Sequence, residues 1–210
     1  MVELLIALLI WTLFHTLMAA VDAKDWFRRT FGERAYRGLY RLLYNVIAGW
    51  TLLPILYLLI TRAPDGALWS VPMPFRLVNY TLQFIGALGA LAALWQTDVW
   101  RFLGLRQLVR YVRGEADPEP PSPFISTGTY RLVRHPIYFF GLLVLWANAV
   151  MSWTVFIVSL WAAVYFLAGS LHEEQRLLAE FGDAYRIYQA RVPRLLPLPR
   201  PSDQSPVVGK

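Results

Sequence analysis

Long apolar blocks, separated by shorter polar segments, make up most of the 210-residue sequence. The first three cover about 1–21, 39–60 and 75–95, and each matches the roughly 20 residues that a helix needs to cross a bilayer. The fourth block, 137–171, holds 35 residues without a single charge. As one helix it would extend about 50 Å, against a hydrocarbon core of about 30 Å. We therefore expect this block to turn back within the membrane.

Polar residues inside the fourth block predict where it turns. Asn148, Ser152 and Thr154 stand together in its middle and favour a break there. The break gives two spans, about 136–150 and 153–172, which form a helical hairpin. The sequence thus predicts an all-α integral membrane protein with five transmembrane helices. One kinked and deeply tilted helix in place of the hairpin is the alternative.

The basic residues test this count, because cytoplasmic loops of membrane proteins collect Lys and Arg. Six basic residues fall in each of three segments, 22–41, 96–136 and the tail after 171, and Arg62 and Arg76 are the other two. Five spans with the N-terminus outside and the C-terminus in the cytoplasm place 18 of the 20 basic residues inside. We therefore predict a multi-pass protein of the cytoplasmic (inner) membrane. Its net charge of +6 reflects this topology, and the basic segments would attract anionic membrane lipids.

Composition removes several classes of function. The chain has no Cys, which excludes disulfides, thiolate catalysis and zinc–thiolate sites. Its three His are far apart and lack the H-x-x-x-H spacing, so no metal site is expected. Because the positive charge follows the membrane topology, nucleic acid is not an expected partner. Glu3, with no basic residue before the first apolar block, argues against a cleaved signal peptide, so we expect a retained helix.

The polar segment before the fourth span has several local signals. Four prolines within 117–123 exclude helix there, and we expect a loop that acts as a lid. Gly128 marks a turn. His135 must leave helical geometry because a proline follows it, and Pro136 suits the first position of a helix.

The C-terminal segment is also organised. An amphipathic helix is expected to continue from the fifth span and to stop at Gly182, and a second short helix is expected over 183–191. These cytoplasmic helices cover about 173–191. The remaining 198–210 is rich in Pro and Ser and is expected to be disordered. Residues 1–197 are then one membrane domain.

Ionisable residues converge at the cytoplasmic ends of the last two spans. Arg134 and His135 lie in the stretch YRLVRHPIYFFG, 130–141, just before the fourth span, whereas Glu173 and Glu174 follow the fifth. In a hairpin both groups lie at one level and within reach of each other. Charges at a membrane boundary are costly unless paired or hydrated, which indicates a site.

The chemistry of this cluster suits a particular kind of ligand. A helix start beside Arg and His binds anions, carboxylates bind an ammonium group and ribose hydroxyls, and tyrosine faces hold a cation or an adenine. Those ligand groups are together the parts of S-adenosylmethionine. Arginines that reach for lipid headgroups and glutamates that neutralise them are the simpler alternative. The clustered tyrosines are Tyr130, Tyr138, Tyr185 and Tyr188.

These residues carry a resemblance to a known family. GTYRLVRHPIYFFG followed by EEQRLLAEFGDAYRIYQARVPRLLP, about 125–197, resembles the membrane methyltransferases that include isoprenylcysteine carboxyl methyltransferase and the phospholipid N-methyltransferases. The resemblance implies S-adenosylmethionine as cofactor, in a cytoplasmic pocket that Arg191 and Arg194 close. By position, the implied cofactor contacts are Tyr130, His135, Pro136, Tyr138, Gly141, Glu173 and Glu174.

The first half carries a second resemblance. FHTLMAA, GERAYRGLYRLLYNV and WRFLGLRQL are similar to segments of the denitrification-associated membrane proteins and the methanethiol methyltransferases. Together the two resemblances predict methyl transfer to a lipophilic or small acceptor, a thiol, an amine or a carboxylate. Arg134, His135 or a glutamate such as Glu174 would aid deprotonation of the acceptor or order its approach. The sequence assigns no single residue to that role.

Other hypotheses stay open. A membrane reductase with a nicotinamide cofactor has a related C-terminal architecture, and a non-enzymatic accessory protein or transporter could keep the pocket as a scaffold. His15, in the middle of the first span, is either a packing residue or a group that faces the substrate. Gly86 and Gly89 indicate close helix packing rather than a nucleotide loop, since no strand precedes them.

Overall fold

The computed structural model describes residues 1–62, 66–115 and 123–198, and these are mostly helical with one two-stranded sheet. Most of the expected lid at 117–123 and of the tail at 198–210 lies outside the described residues. In chain order the elements are α1 (Val2–Ala19), α2 (Val21–Arg62), β1 (Ala67–Ser70), α3 (Arg76–Gln96), α4 (Val99–Leu103), α5 (Leu105–Val112), a 3-10 helix (Gly128–Arg131), α6 (Pro136–Trp146), β2 (Val150–Ser152), α7 (Trp153–Phe181) and α8 (Asp183–Arg191).

Four of the described helices are long and apolar enough to cross a membrane: α1, most of α2, α3 and α7. Helix α6 is apolar as well but has only 11 residues. At about 1.5 Å per residue it extends about 16 Å, roughly half of a hydrocarbon core. The structure is therefore that of a helical membrane protein, with four long helices and one short apolar helix where the sequence predicts five spans.

Helix α6 ends earlier than the predicted span 136–150, and a side chain explains the difference. The Asn148 amide donates to the carbonyl of Leu145 at 2.8 Å, so it satisfies one of the free carbonyls at the end of the helix. Ser152 then marks the start of α7, because its Oγ accepts a hydrogen bond from the Val155 N–H at 3.3 Å. The polar group in the fourth block thus ends one helix and begins the next, as the sequence predicts.

The described chain forms two compact units. The first contains Met1–Leu68, Thr97–Ser122 and Ser152–Val158. In it, α1 and α2 run antiparallel and are joined by a seam of hydrogen bonds about one helical turn apart, which is how polar side chains hold apolar helices together. The seam joins Trp11 Nε1 to Ala48 O at 3.0 Å, His15 Nε2 to Tyr44 Oη at 2.7 Å, and Tyr40 Oη to Met18 O at 2.6 Å.

Helix α2 begins well before the second apolar block. The basic segment 22–41 is helical, and Gly32 bends the helix with φ 84° and ψ 160°, a backbone conformation that glycine adopts most easily. Around the bend, Arg28 and Arg37 pair with Glu33 at the surface. The sequence pattern therefore locates the apolar span of α2 but not the helical segment that precedes it.

The second unit contains Trp69–Gln96, Pro123–Met151 and Ser159–Lys210. In it, α3 packs closely on α6 through two glycines, as the sequence predicts. A Cβ at Gly86 would lie 2.8 Å from Val144 Cγ2, and a Cβ at Gly89 would clash with the Phe140 ring. The Gln83 side chain also donates to the Val144 carbonyl at 3.2 Å. Helix α3 thus supports the helix whose first residue opens the polar cluster.

A glycine substitution tests the packing of the first unit. Gly104 has φ 86°, and a Cβ there would lie 2.5 Å from the backbone nitrogen of Leu42. Gly114 has φ 74°, but its nearest neighbour would be Arg34 Nη2 at 3.8 Å. Gly114→Ala should therefore lower the free energy of unfolding by only about 1–2 kcal/mol, because its one penalty is a left-handed backbone conformation. Gly104→Ala adds a clash with backbone and should lower the thermal unfolding midpoint in detergent at least twice as far. Equal shifts would contradict this packing.

Candidate functional site

The start of α6 is built as the local signals predict. Gly128 has φ 60° at the turn, His135 has the non-helical angles φ −121° and ψ 68°, and Pro136 is the first helical residue. The His135 side chain makes no capping hydrogen bond to this helix, and the positive end of the helix dipole lies at the cluster. Two backbone hydrogen bonds fix the segment to the chain that follows α8. Arg134 N–H donates to Pro193 O at 2.8 Å, and His135 N–H donates to the next carbonyl at 3.1 Å.

Glu174 is the centre of the cluster. Its Oε1 accepts from Arg134 Nε at 2.8 Å and Nη2 at 2.7 Å, whereas Oε2 accepts from Gln189 Nε2 at 3.0 Å and Arg194 Nη2 at 2.9 Å. The side chains of Arg134 and Glu174 are each 4% exposed. A buried carboxylate requires such a set of donors, because removal from water costs several kcal/mol per ion. Both Glu174 oxygens are therefore occupied by protein donors.

Arg134 also caps the C-terminal end of α8. Its Nη1 donates to the carbonyls of Val192 at 2.6 Å and Gln189 at 3.1 Å, which lie at the C-terminal end of that helix. A cation at this position satisfies orphan carbonyls and complements the negative end of the helix dipole. One buried guanidinium thus holds the start of α6, the carboxylate on α7 and the end of α8 together.

Glu173 has a different environment from its neighbour. Its side chain is 35% exposed, its Oε2 accepts from Tyr138 Oη at 3.2 Å, and its Oε1 forms a distant ion pair with Arg176 at 3.8 Å. The Tyr138 ring stacks with His135 and with Phe166, at centroid distances of 5.4 and 4.8 Å. Glu173 is therefore the carboxylate of the cluster that is accessible to a ligand.

His135 lies between the two carboxylates. Its Nδ1 is 3.4 Å from Glu173 Oε2, and its Nε2 is 3.3 Å from Glu174 Oε1. Burial alone would lower the pKa of His135, but the hydrogen bonds and charges of both glutamates outweigh burial and raise it above its ordinary value. An imidazolium suits this position, because it donates from both ring nitrogens.

The tyrosines near the cluster are neutral hydrogen-bonding groups. Tyr188 Oη donates to the Tyr130 carbonyl at 2.6 Å, and Phe124 packs on the Tyr185 and Tyr188 rings. The Tyr185 hydroxyl is buried near Arg134 but makes no hydrogen bond of acceptable geometry with the described residues. Burial raises the pKa of Tyr130 and of Tyr185 to about 12, so both phenols keep their protons at neutral pH.

Most of the residues predicted for the site are brought together, and two are not. Gly141 packs beside the Phe166 ring, where a Cβ would have an ordinary contact at 3.5 Å, and Arg191 is exposed at the end of α8. The residues that the structure gathers are Tyr130, Arg134, His135, Pro136, Tyr138, Glu173, Glu174, Tyr185, Tyr188 and Arg194.

Sequence reasoning missed two side chains of the cluster. Gln189 follows Tyr185 by four residues and so lies on the same face of α8. This spacing in the sequence would have identified Gln189 as a candidate. Phe166, which stacks on Tyr138, lies in a charge-free block where nothing in the sequence distinguishes it from its neighbours. Within residues 1–62, 66–115 and 123–198, no group of three or more His, Cys, Asp or Glu is arranged to hold a metal ion.

The fold and the cluster define a class: a helical membrane protein with a buried Arg–Glu pair and an accessible carboxylate at the start of a short apolar helix. The chain belongs to the NnrU protein family, whose model matches residues 3–153. No solved structure matches the chain.

Relatives that are named for an enzymatic activity are similar to more of the chain. The methanethiol S-methyltransferase of Mycobacterium tuberculosis is 31% identical over 196 residues, 93% of this chain and 77% of the relative. That of Pseudomonas deceptionensis is 31% identical over 201 residues, 92% of this chain and 72% of the relative. That of Crocosphaera subtropica is 26% identical over 192 residues, 90% and 71% of the two chains. The expected relation to membrane methyltransferases is confirmed, and a methyl donor is implied.

Neutralising each glutamate in turn tests the cluster. Glu174→Gln leaves the buried Arg134 without its counterion and should cost about 3–5 kcal/mol. Glu173→Gln changes a partly exposed group and should cost under about 1 kcal/mol. Thermal unfolding in detergent would compare the two variants with the wild type. Equal midpoints for the two variants would mean that the buried ion pair does not hold the cluster together.

The charge of His135 gives a pH-dependent prediction. Because its pKa is raised in the folded state, its protonation stabilises the fold fully below the unfolded value of about 6.5. The contribution is lost as the pH rises through the folded-state pKa. NMR titration of labelled histidines, assigned with His15→Gln and His172→Gln, should give a pKa for His135 above about 6.5 that falls in Glu173→Gln. A value at or below 6.5 in the wild type would contradict the ion pairs.

Proposed function

We propose that the protein is an S-adenosylmethionine-dependent methyltransferase of the cytoplasmic membrane whose acceptor is a small, lipophilic thiol. The proposal depends on one observation: an accessible carboxylate and the N-terminus of α6 meet in a chain whose relatives are named methanethiol S-methyltransferases. The similarity to the Mycobacterium tuberculosis enzyme covers 93% of this chain, which leaves only about 15 residues at the chain ends outside it. Residues 130–194 therefore lie within the similar region. The thiol comes from the relatives' name, and amines and carboxylates are tested beside it.

We further propose five crossings, with the N-terminus outside, the C-terminus in the cytoplasm, and α6 and α7 as a hairpin. Contacts between these helices run in opposite order, since Ser159 Oγ donates to Leu145 O and Phe166 stacks on Tyr138. Irregular backbone is tolerated at membrane depth where protein covers it. In the stretch between the helices, Met151 is 0% exposed, and the neighbouring residues 147, 149 and 152 are also buried. This burial supports α6 and its following strand as one crossing.

The residues of the cluster fit the proposed cofactor. Bound S-adenosylmethionine would supply a methyl group on a positively charged sulfur. The N-terminus of α6 suits the carboxylate of such a ligand, and Glu173 suits its ammonium group or ribose hydroxyls. The buried Tyr185 hydroxyl, which lacks a well-formed hydrogen bond with the described residues, offers one more donor.

The chain's own residues contribute mainly by position. Methyl transfer gains most from alignment of the reacting atoms and from exclusion of water. Arg134 is a permanent cation, His135 lies between two carboxylates that raise its pKa, and Glu174 is occupied by protein donors. None of these three is placed to accept the proton of a thiol, so we propose that they order the site. Glu173 is the remaining carboxylate that a ligand can reach.

Calorimetry tests the cofactor. The purified protein in detergent should bind S-adenosylhomocysteine, and Glu173→Gln should bind it about tenfold more weakly, which corresponds to about 1.4 kcal/mol. Glu180→Gln, an exposed position on the same helix, should bind it like the wild type. Labelled S-adenosylmethionine offered with a small thiol, a phospholipid amine, a prenylated thiol and a prenylated carboxylate should methylate the small thiol. Binding of NADPH without any binding of S-adenosylhomocysteine would replace this proposal with a reductase.

A further inference from the structure

The basic segment 21–41 is bent back on itself beyond the end of α1. The ring centroids of Phe27 and Tyr40 lie 5.1 Å apart, although a straight helix would separate these two residues by about 20 Å. The bend at Gly32, where φ is 84°, allows this approach. The segment then returns to the end of α1, because Tyr40 Oη donates to Met18 O at 2.6 Å. It therefore lies at the end of the α1–α2 pair, where the first apolar span stops.

Helices α4 and α5 pack on the same part of α2. Asn45 donates to the Phe102 carbonyl at 2.9 Å, and Arg34 donates to the Tyr111 carbonyl at 3.2 Å. Gly38 lies directly against the Tyr111 ring. All of these elements belong to the first unit. Segment 21–41 and helices α4 and α5 thus form one folded surface at the end of the α1–α2 pair.

This surface, which we call the basic surface, comprises residues 21–41 and 97–115 and carries an excess of positive charge. Ten of these residues are Lys or Arg, and five are Asp or Glu. Arg29 in the first range and Arg113 in the second are both exposed. The basic surface is therefore complementary in charge to an anionic partner.

Large apolar side chains are exposed on the same surface. Trp26, Phe31, Trp100 and Val112 are each more than half exposed. The rings of Trp26 and Phe31 meet edge to face with centroids 6.1 Å apart, so these two side chains form one apolar patch. Arginine together with exposed tryptophan and phenylalanine is typical of helices that lie in the membrane–water interface. There the apolar side chains enter the acyl region while the cations contact the headgroups.

We propose that the basic surface lies in the membrane–water interface and binds anionic phospholipids. Its exposed arginines contact the lipid phosphates, and Trp26 and Phe31 enter the region of the acyl chains. Its position where α1 ends brings it to the boundary of the bilayer that α1 is long and apolar enough to cross. A free phosphate ion would meet the same charges but not the apolar side chains, so a lipid is the better fit. This binding does not require the proposed methyl transfer, and either can fail without the other.

Lipid binding can be measured on the full chain in a neutral detergent by native mass spectrometry. The wild type should bind phosphatidylglycerol at least tenfold more tightly than phosphatidylcholine. Arg29→Gln combined with Arg113→Gln should lower the affinity for phosphatidylglycerol at least tenfold, since each basic residue near an anionic lipid surface contributes about fivefold. The matched control, Arg186→Gln combined with Arg191→Gln, removes two exposed charges from α8 and should bind like the wild type.

Two results of this experiment would overturn the proposal. If both double variants lose the same affinity, the lipid responds to the total charge of the chain, and the basic surface is not its site. If the wild type binds the two lipids equally, the surface does not select an anionic headgroup.

A fluorescent label tests the position of the surface separately. The chain has no Cys, so Thr30→Cys provides a single labelling site at an exposed position and leaves Trp26 and Phe31 in place. In nanodiscs that contain phosphatidylglycerol, lipids with a spin label near the headgroup should quench this label several-fold more strongly than a label at Asp183→Cys, which is exposed on α8. Equally weak quenching at the two positions would mean that segment 21–41 lies in water, and the proposal would fail.

Discussion

The buried ion pair between Arg134 and Glu174 is the interaction on which the polar cluster depends. Two charges that are 4% exposed are stable only with a nearly complete set of partners, because desolvation otherwise exceeds their attraction. Here Gln189 and Arg194 donate hydrogen bonds to the other oxygen of the carboxylate, and the carbonyls of Gln189 and Val192 accept hydrogen bonds from the guanidinium. The partners come from the start of α6, from α7 and from α8. Each of these segments is therefore held in the arrangement that the ion pair requires.

The same constraint separates the roles of two adjacent glutamates. Successive residues of a helix point about 100° apart, so when Glu174 turns inward to Arg134, Glu173 must turn toward the outer side of α7. Glu173 accordingly stays partly exposed and is bound on one oxygen by Tyr138. The structural carboxylate thus fixes the direction of the accessible one. Two adjacent and chemically identical side chains thus have different roles: Glu174 anchors the cluster, and Glu173 is available to a ligand.

Local rules predicted the parts of this site that depend on neighbouring residues. Pro136 begins a helix because of its ring, and Gly182, with φ 55°, separates α7 from α8. The convergence of Glu173 and Glu174 on residues before α6 followed from the expected hairpin. The sequence could not predict side-chain contacts that depend on backbone groups distant in the chain. Glu174 rather than Glu173 becomes buried because of carbonyls some 55 residues from Arg134, a relation that no periodicity encodes.

The charges of the cluster lie at different places, and their arrangement gives the site a direction. Arg134 and Arg194 supply two positive charges, and Glu173 and Glu174 supply two negative charges. Arg134 lies beside the start of α6, where the helix dipole adds to its positive charge. The accessible negative charge lies on α7. A zwitterion is therefore favoured in one orientation, with its carboxylate toward α6 and its ammonium group toward Glu173. The amino-acid part of the proposed cofactor meets this requirement, whereas a ligand that bears only negative charge meets half of it.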